Sequence, residues 1–240
     1  MRLTIIAGCL LCMLVPEGVG YGQKVNYYGV FPTIDHSGSL NEKWSYNVYL
    51  FDAIKPYTHT INNEVTDEAR SFYAYGELGL SCALNKQLSI TGAYVHERQN
   101  VFKEYYRTEN RLFQQLTLKT PINNGVMKQR LRFDERFIQN KTTGKAPLTH
   151  RLRYLLGGTI PISDTKLYAM GYSEFFFNTS NAFKYEENWS ALQLGIHLND
   201  VHSIEAGLLN VNWIYNSSND WLHQYYLQAT WVSHLDFHHK

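Results

Sequence analysis

The residues able to do chemistry in this chain are hydroxyls, imidazoles and charged groups set in short alternating stretches, and their spacing argues against an enzyme. Gly171-Tyr172-Ser173-Glu174-Phe175 approaches the Gly-x-Ser-x-Gly nucleophile turn, but it lacks the last glycine and lies in a strand pattern with no helix after it. His202-Ser203 and Ser233-His234 place base and nucleophile on successive residues. In a strand these point to opposite faces, so neither reads as a catalytic pair. His96-Glu97 lacks the second histidine of a zinc hydrolase, and His238-His239 reads as a solvated tail. No cofactor and no metal is expected.

The densest chemistry is charge at period two. Between Val126 and Gln139, Lys128, Arg130, Arg132, Asp134 and Arg136 share one face of a strand, with Leu131, Phe133 and Phe137 on the other. Such a charged row cannot face a packed apolar core. It suits the wet interior of a barrel, where counter-charges stand on neighbouring strands. The same parity argument sends Glu77, Glu97, Glu109, Arg111, Arg151, Arg153, Glu174 and Glu205 to that interior, completing the set of candidate lumen residues.

Strand-length segments must position these charges. About ten are expected, near Trp44–Phe51, Ser71–Leu84, Leu88–Arg98, Arg107–Thr120, Val126–Gln139, His150–Ile160, Lys166–Asn178, Glu186–Leu198, His202–Ile214 and from Leu222 onward. Asn124-Gly125 marks a hairpin turn between the two most strongly patterned of them. The segment Tyr27 to Leu40, with Pro32, Gly38 and Ser39, reads as a turn-bearing arm. Long connections near 52–67, 99–106, 140–149, 179–185 and 216–220 alternate with short turns, as in a meander whose two termini share the short-turn side. In the last strand Tyr225, Leu227, Ala229, Trp231, Leu235 and Phe237 keep one parity, interrupted only by Ser233. That pattern resembles the C-terminal signal by which outer-membrane proteins are inserted, here followed by His238-His239-Lys240.

Residues 1–22 have the layout of a signal peptide: Arg2, then the uncharged apolar run Leu3 to Val15, then a small-residue stretch ending at Gly22. The run is too short for a spanning helix, and no later segment is long enough either. Cys9 comes too early to leave an adequate apolar run before a lipidation site. Removal of the leader leaves only Cys82, so no intramolecular disulfide can form. The formal net charge of +1 gives no field for nucleic acid. The aromatic content of 15%, with 18 Tyr and 5 Trp, suits the girdles of a membrane barrel. The expected fold class is therefore all-β: a closed antiparallel up-and-down transmembrane β-barrel forming a single domain over residues 23–240, in the bacterial outer membrane.

Several phrases resemble the DUF2490 family of uncharacterised outer-membrane barrels: Leu40-Asn41-Glu42-Lys43-Trp44-Ser45, Gly79-Leu80-Ser81-Cys82-Ala83-Leu84-Asn85-Lys86, Asn110-Arg111-Leu112-Phe113-Gln114-Gln115-Leu116, Arg130 to Phe137, and Arg151-Leu152-Arg153-Tyr154. The resemblance implies architecture and location and transfers no functional residue. Three classes of function follow. The interior charges could neutralise one another as a plug, leaving a structural or binding module, or they could line a small channel for polar solutes. An outer-membrane lipid hydrolase would need a nucleophile–base set that the spacing does not supply. A soluble lipocalin-like barrel would need the reverse distribution of charge. The expected partners are membrane lipid, the barrel-assembly machinery during biogenesis, and an envelope protein or glycan at the outer loops, with the protein a monomer.

Overall fold

A computed structural model describes residues 24–237 apart from 58, 62–63, 105, 141–143, 181 and 216–219. The expected leader and the terminal histidine pair lie outside the described residues. Thirteen strands follow in order: β1 (Lys24–Ser39), β2 (Trp44–Lys55), β3 (His59–Ile61), β4 (Glu64–Asp67), β5 (Arg70–Ala83), β6 (Leu88–Gln99), β7 (Arg107–Ile122), β8 (Gly125–Asn140), β9 (Leu148–Pro161), β10 (Leu167–Asn178), β11 (Lys184–His197), β12 (His202–Tyr215) and β13 (Asp220–Asp236). Eleven of them close a barrel in the order β1-β13-β12-β11-β10-β9-β8-β7-β6-β5-β2, and β3 and β4 pair separately in the connection between β2 and β5.

Alternation sorts the wall into two faces. Leu78, Leu112, Leu131, Leu194, Leu208 and Leu227 are exposed on the outside, whereas their sequence neighbours Glu77, Arg111, Arg132, Gln193, Leu209 and Gln228 are buried within. The connections at one end, 40–43, 84–87, 123–124, 162–166 and 198–201, are short; this is the turn end, and the opposite one the loop end. Three of these turns use the same device. Asn41, Asn85 and Asn199 each accept, on Oδ1, the two backbone N–H groups that re-enter the wall, at 2.8–2.9 Å. In the β7–β8 hairpin the left-handed residue is Asn123, at φ 54°, while Gly125 begins the return strand. A side chain at Gly125 would meet the Thr159 carbonyl, with Cβ only 2.6 Å from its oxygen.

The expected N-terminal arm is instead a strand of the wall. It runs antiparallel to β2 and parallel to β13, from Lys24 opposite Trp221 to Ser39 opposite Asp236. A meander reverses at every step, so an odd number of strands brings the first and last together pointing the same way. The start of β1 consequently lies at the loop end and the end of β13 at the turn end, which corrects the reading that placed both termini on the short-turn side. Pro32 did not break the strand. It occupies a gap in the β1–β2 pairing, which passes from Val30 opposite Ile54 to Thr33 opposite Phe51, so no partner on β2 stands opposite it, while it keeps its place opposite Ala229 of β13. Gly38 leaves room for the Tyr46 ring, which a Cβ there would approach to 2.4 Å.

The core lies inside the barrel. Phe31 stacks on Phe51 with ring centroids 4.5 Å apart, Phe51 stacks on Tyr75 at the same separation, and both phenylalanines meet Trp189 of the facing wall at 5.8 and 5.9 Å. Aromatics from β1, β2 and β5 thus reach β11 across the interior, and Phe176 of β10 joins them at Trp189.

Candidate functional site

Strand parity points every candidate lumen residue inward, and eleven-strand closure brings most of them into contact. Around β6, β7 and β8, Arg111 bridges Glu97 at 3.2 Å and Glu109 at 2.6 Å, and Arg136 holds the same Glu109 at 2.7 Å while reaching Glu186 at 3.7 Å. Around β8, β9 and β10, Arg151 bridges Asp134 at 2.9 Å. Arg153 donates to both oxygens of Glu174 at 2.8 Å, and Arg130, one strand farther round on β8, reaches Glu174 at 2.6 Å. Arg132 spans from β8 to Glu77 on β5 at 3.1 Å, where the Tyr75 hydroxyl and the Asn47 amide also donate to Glu77.

These pairs are packed on the aromatic core. The guanidinium of Arg132 lies 3.7 Å from the centroid of the Phe113 ring, and Phe176 carries Arg153 on its face at 4.3 Å and Arg151 at 4.9 Å. Desolvating so many charges would be costly if any were alone. Arg111 and Arg136 share Glu109, Arg130 and Arg153 share Glu174, and Arg151 and Arg153 share Asp134, so that a layer of interleaved sign runs from mid-barrel toward the loop end.

The other members of the candidate set, Lys128 and Glu205, lie apart from this layer near the turn end and take no ion pair among the described residues. Glu205 accepts a hydrogen bond from the Tyr168 hydroxyl at 2.7 Å, because Gly195 between them has no side chain to block the ring. The remaining space is a cavity of about 940 Å³ whose lining runs from Glu186 toward the loop end to Lys119 at the turn end.

Sequence reasoning missed Asp35, Lys119, Glu186 and Glu187, all of which line this cavity. Asp35 lay in the presumed arm. Lys119 shares the parity of Glu109 and Arg111 without having been counted among the lumen residues, whereas Glu186 and Glu187 sit near a strand end where the pairing with β10 shifts register and parity is a weak guide. The aromatic half of the interior was also missed. Tyr73 and Tyr75 share the parity of Glu77, and that was the available signal.

The serine–histidine contacts also differ from the sequence neighbours. Ser233 Oγ lies 2.6 Å from Nδ1 of His36 on β1, whose Nε2 is 2.9 Å from the Tyr46 hydroxyl; Ser203 Oγ lies 2.9 Å from Nδ1 of His197 on β11. Ser173 meets only the hydroxyl of Ser190, at 2.8 Å. Cross-strand register makes these contacts. Ser203 and Ser233 each sit in ladders on both sides, leaving no free pair of backbone N–H groups for an oxyanion. Among the described residues no group of three or more His, Cys, Asp or Glu is arranged to hold a metal ion.

Comparison with known proteins finds no match among curated proteins and none among solved structures. The family described as "Protein of unknown function (DUF2490)" matches residues 29–223, from the first barrel strand into the last. That span carries the whole lumen layer, and the chain belongs to the DUF2490 family.

Proposed function

We propose that this chain is an integral protein of the bacterial outer membrane, a monomeric barrel with a charge-plugged lumen that acts as a structural or binding module rather than as an enzyme. The observation that carries this reading is the inverted wall: exposed leucines such as Leu78, Leu131 and Leu208 cover the outside, and the ion pairs of Glu109, Asp134 and Glu174 are buried inside. A closed barrel leaves no unpaired edge, which is what a strand protein needs to cross a bilayer. Lipid is then the partner of the wall, and the barrel-assembly machinery the partner of the β13 pattern during biogenesis. The loop-end connections would meet an envelope protein or a glycan.

A second reading, a narrow path for small polar solutes, is supported by the cavity's continuing from the loop end toward the turn end past the charged layer. Fractionation of cells should leave the protein in the outer-membrane pellet after carbonate or urea washing, and the purified barrel should release no fatty acid from phospholipid. Recovery as a soluble periplasmic protein would sink the membrane assignment, and hydrolysis abolished by Ser173→Ala or Ser203→Ala would restore the enzyme.

A further inference from the structure

The paired-charge layer and the turn-end chamber treat charge in opposite ways. In the layer every arginine finds a carboxylate between 2.6 and 3.7 Å. Lys86 of the 84–87 turn lines the same cavity, and in the chamber four strand residues carry charge without an ion pair among the described residues: Lys119, Lys128, Asp35 and Glu205. Each lies within four residues of the turn end of its strand. Lys119 and Lys128 stand directly opposite one another on β7 and β8, a like-charge register that destabilises a sheet unless something compensates it. Asp35 on β1 and Glu205 on β12 belong to the other side of the barrel and line the same cavity as Lys119 and Lys128. Asp35 has no side-chain hydrogen bond among the described residues, and Glu205 has only that of Tyr168.

We propose that this chamber binds a small zwitterion, an amino acid or short peptide, with its carboxylate against Lys119 and Lys128 and its ammonium against Asp35 and Glu205. A simple anion would meet the two carboxylates and a simple cation the two lysines. Only a ligand carrying both signs at opposite ends relieves the lysine pair and the separated acids together. Neutral groups around them, including Thr117, Ser81 and Thr91, supply hydrogen bonds to a peptide unit. Lys119 is exposed, so the turn end offers the entrance. The inference rests on the closed-lumen reading, in that a plugged lumen turns this space into a chamber rather than a passage.

The test is calorimetric titration of the full-length, detergent-solubilised barrel with three probes: alanylalanine, its N-acetyl form and its C-terminal amide. The free dipeptide should bind saturably, and each blocked form roughly tenfold or more weakly, since each loses one charged contact. Lys128→Gln should narrow the gap between the free dipeptide and its amide; Asp35→Asn should narrow the gap to the acetylated form. If Lys128→Gln does not fold, the exposed Lys119→Gln provides the same comparison. No saturable binding of the dipeptide, or blocked forms binding as well as the free one, would overturn the proposal. A steadily conducting lumen would refute the plug and the chamber with it, whereas loss of the charge-specific binding in a non-conducting barrel would refute the zwitterion site alone.

Discussion

Replacing Glu174 by alanine is expected to destabilise the barrel by about 3–5 kcal/mol, the usual consequence of stranding a buried charge. Glu174 is 3% exposed and holds two guanidinium groups, Arg153 through both oxygens and Arg130 through one. Removing it leaves Arg130 without its ion-pair partner and leaves Arg153 only a distant contact to Asp134, at 3.9 Å. Arg153 is then left over the apolar face of Phe176. Urea unfolding of the purified protein in micelles, compared with Glu174→Gln, separates the lost charge from lost volume. A shift under about 1 kcal/mol for Glu174→Ala, the range of an exposed ion pair, would show that water fills this region and that the layer is not a plug.

The second large effect belongs to the outer face. Leu131→Arg should cost roughly 2–4 kcal/mol, the penalty for a cation at the bilayer midplane. Leu131 lies midway along β8 on the outside, in register with Leu116 and Tyr154 of the flanking strands. One residue farther along, Arg132 already carries the same charge inside, held by Glu77, Gln115 and the face of Phe113. The two positions therefore test face rather than composition. Folding into vesicles monitored against urea should show the loss for Leu131→Arg, with the loss vanishing in a variant such as Gln139→Arg near the loop end. Equal tolerance at both positions would mean that no lipid touches this wall.

How much of this was legible in the chain depends on the range of the signal. Period two is local, so β8 announced its two faces through Lys128 to Arg136 against Leu131 and Phe133, and the structure places those side chains accordingly. The turn asparagines were readable for the same reason, because Asn85 and Asn199 bond to N–H groups two and three residues on. The first strand was not. Pro32, Gly38 and Ser39 each suggest a turn by type, and only barrel closure, a contact between residues nearly two hundred positions apart, supplies β13 as a partner that makes them a strand. The chamber was hidden by the same distance. Nothing near Lys128 in sequence indicates that Asp35 and Glu205 line the same cavity, whereas Arg151 and Asp134 are joined by a single register pairing.

Single-channel recording in planar bilayers distinguishes a membrane barrel closed by paired charge on an aromatic core from an open one. Arg132 and Arg153 are the side chains to remove together. Glu77 keeps donors in Tyr75 and Asn47, and Glu174 keeps Arg130, so the double alanine variant opens cross-section without abandoning a carboxylate. The unmodified protein should insert and give small or intermittent conductance, and the double variant a larger one. Large, steady conductance from the unmodified protein would contradict the plug and establish the lumen as an open path.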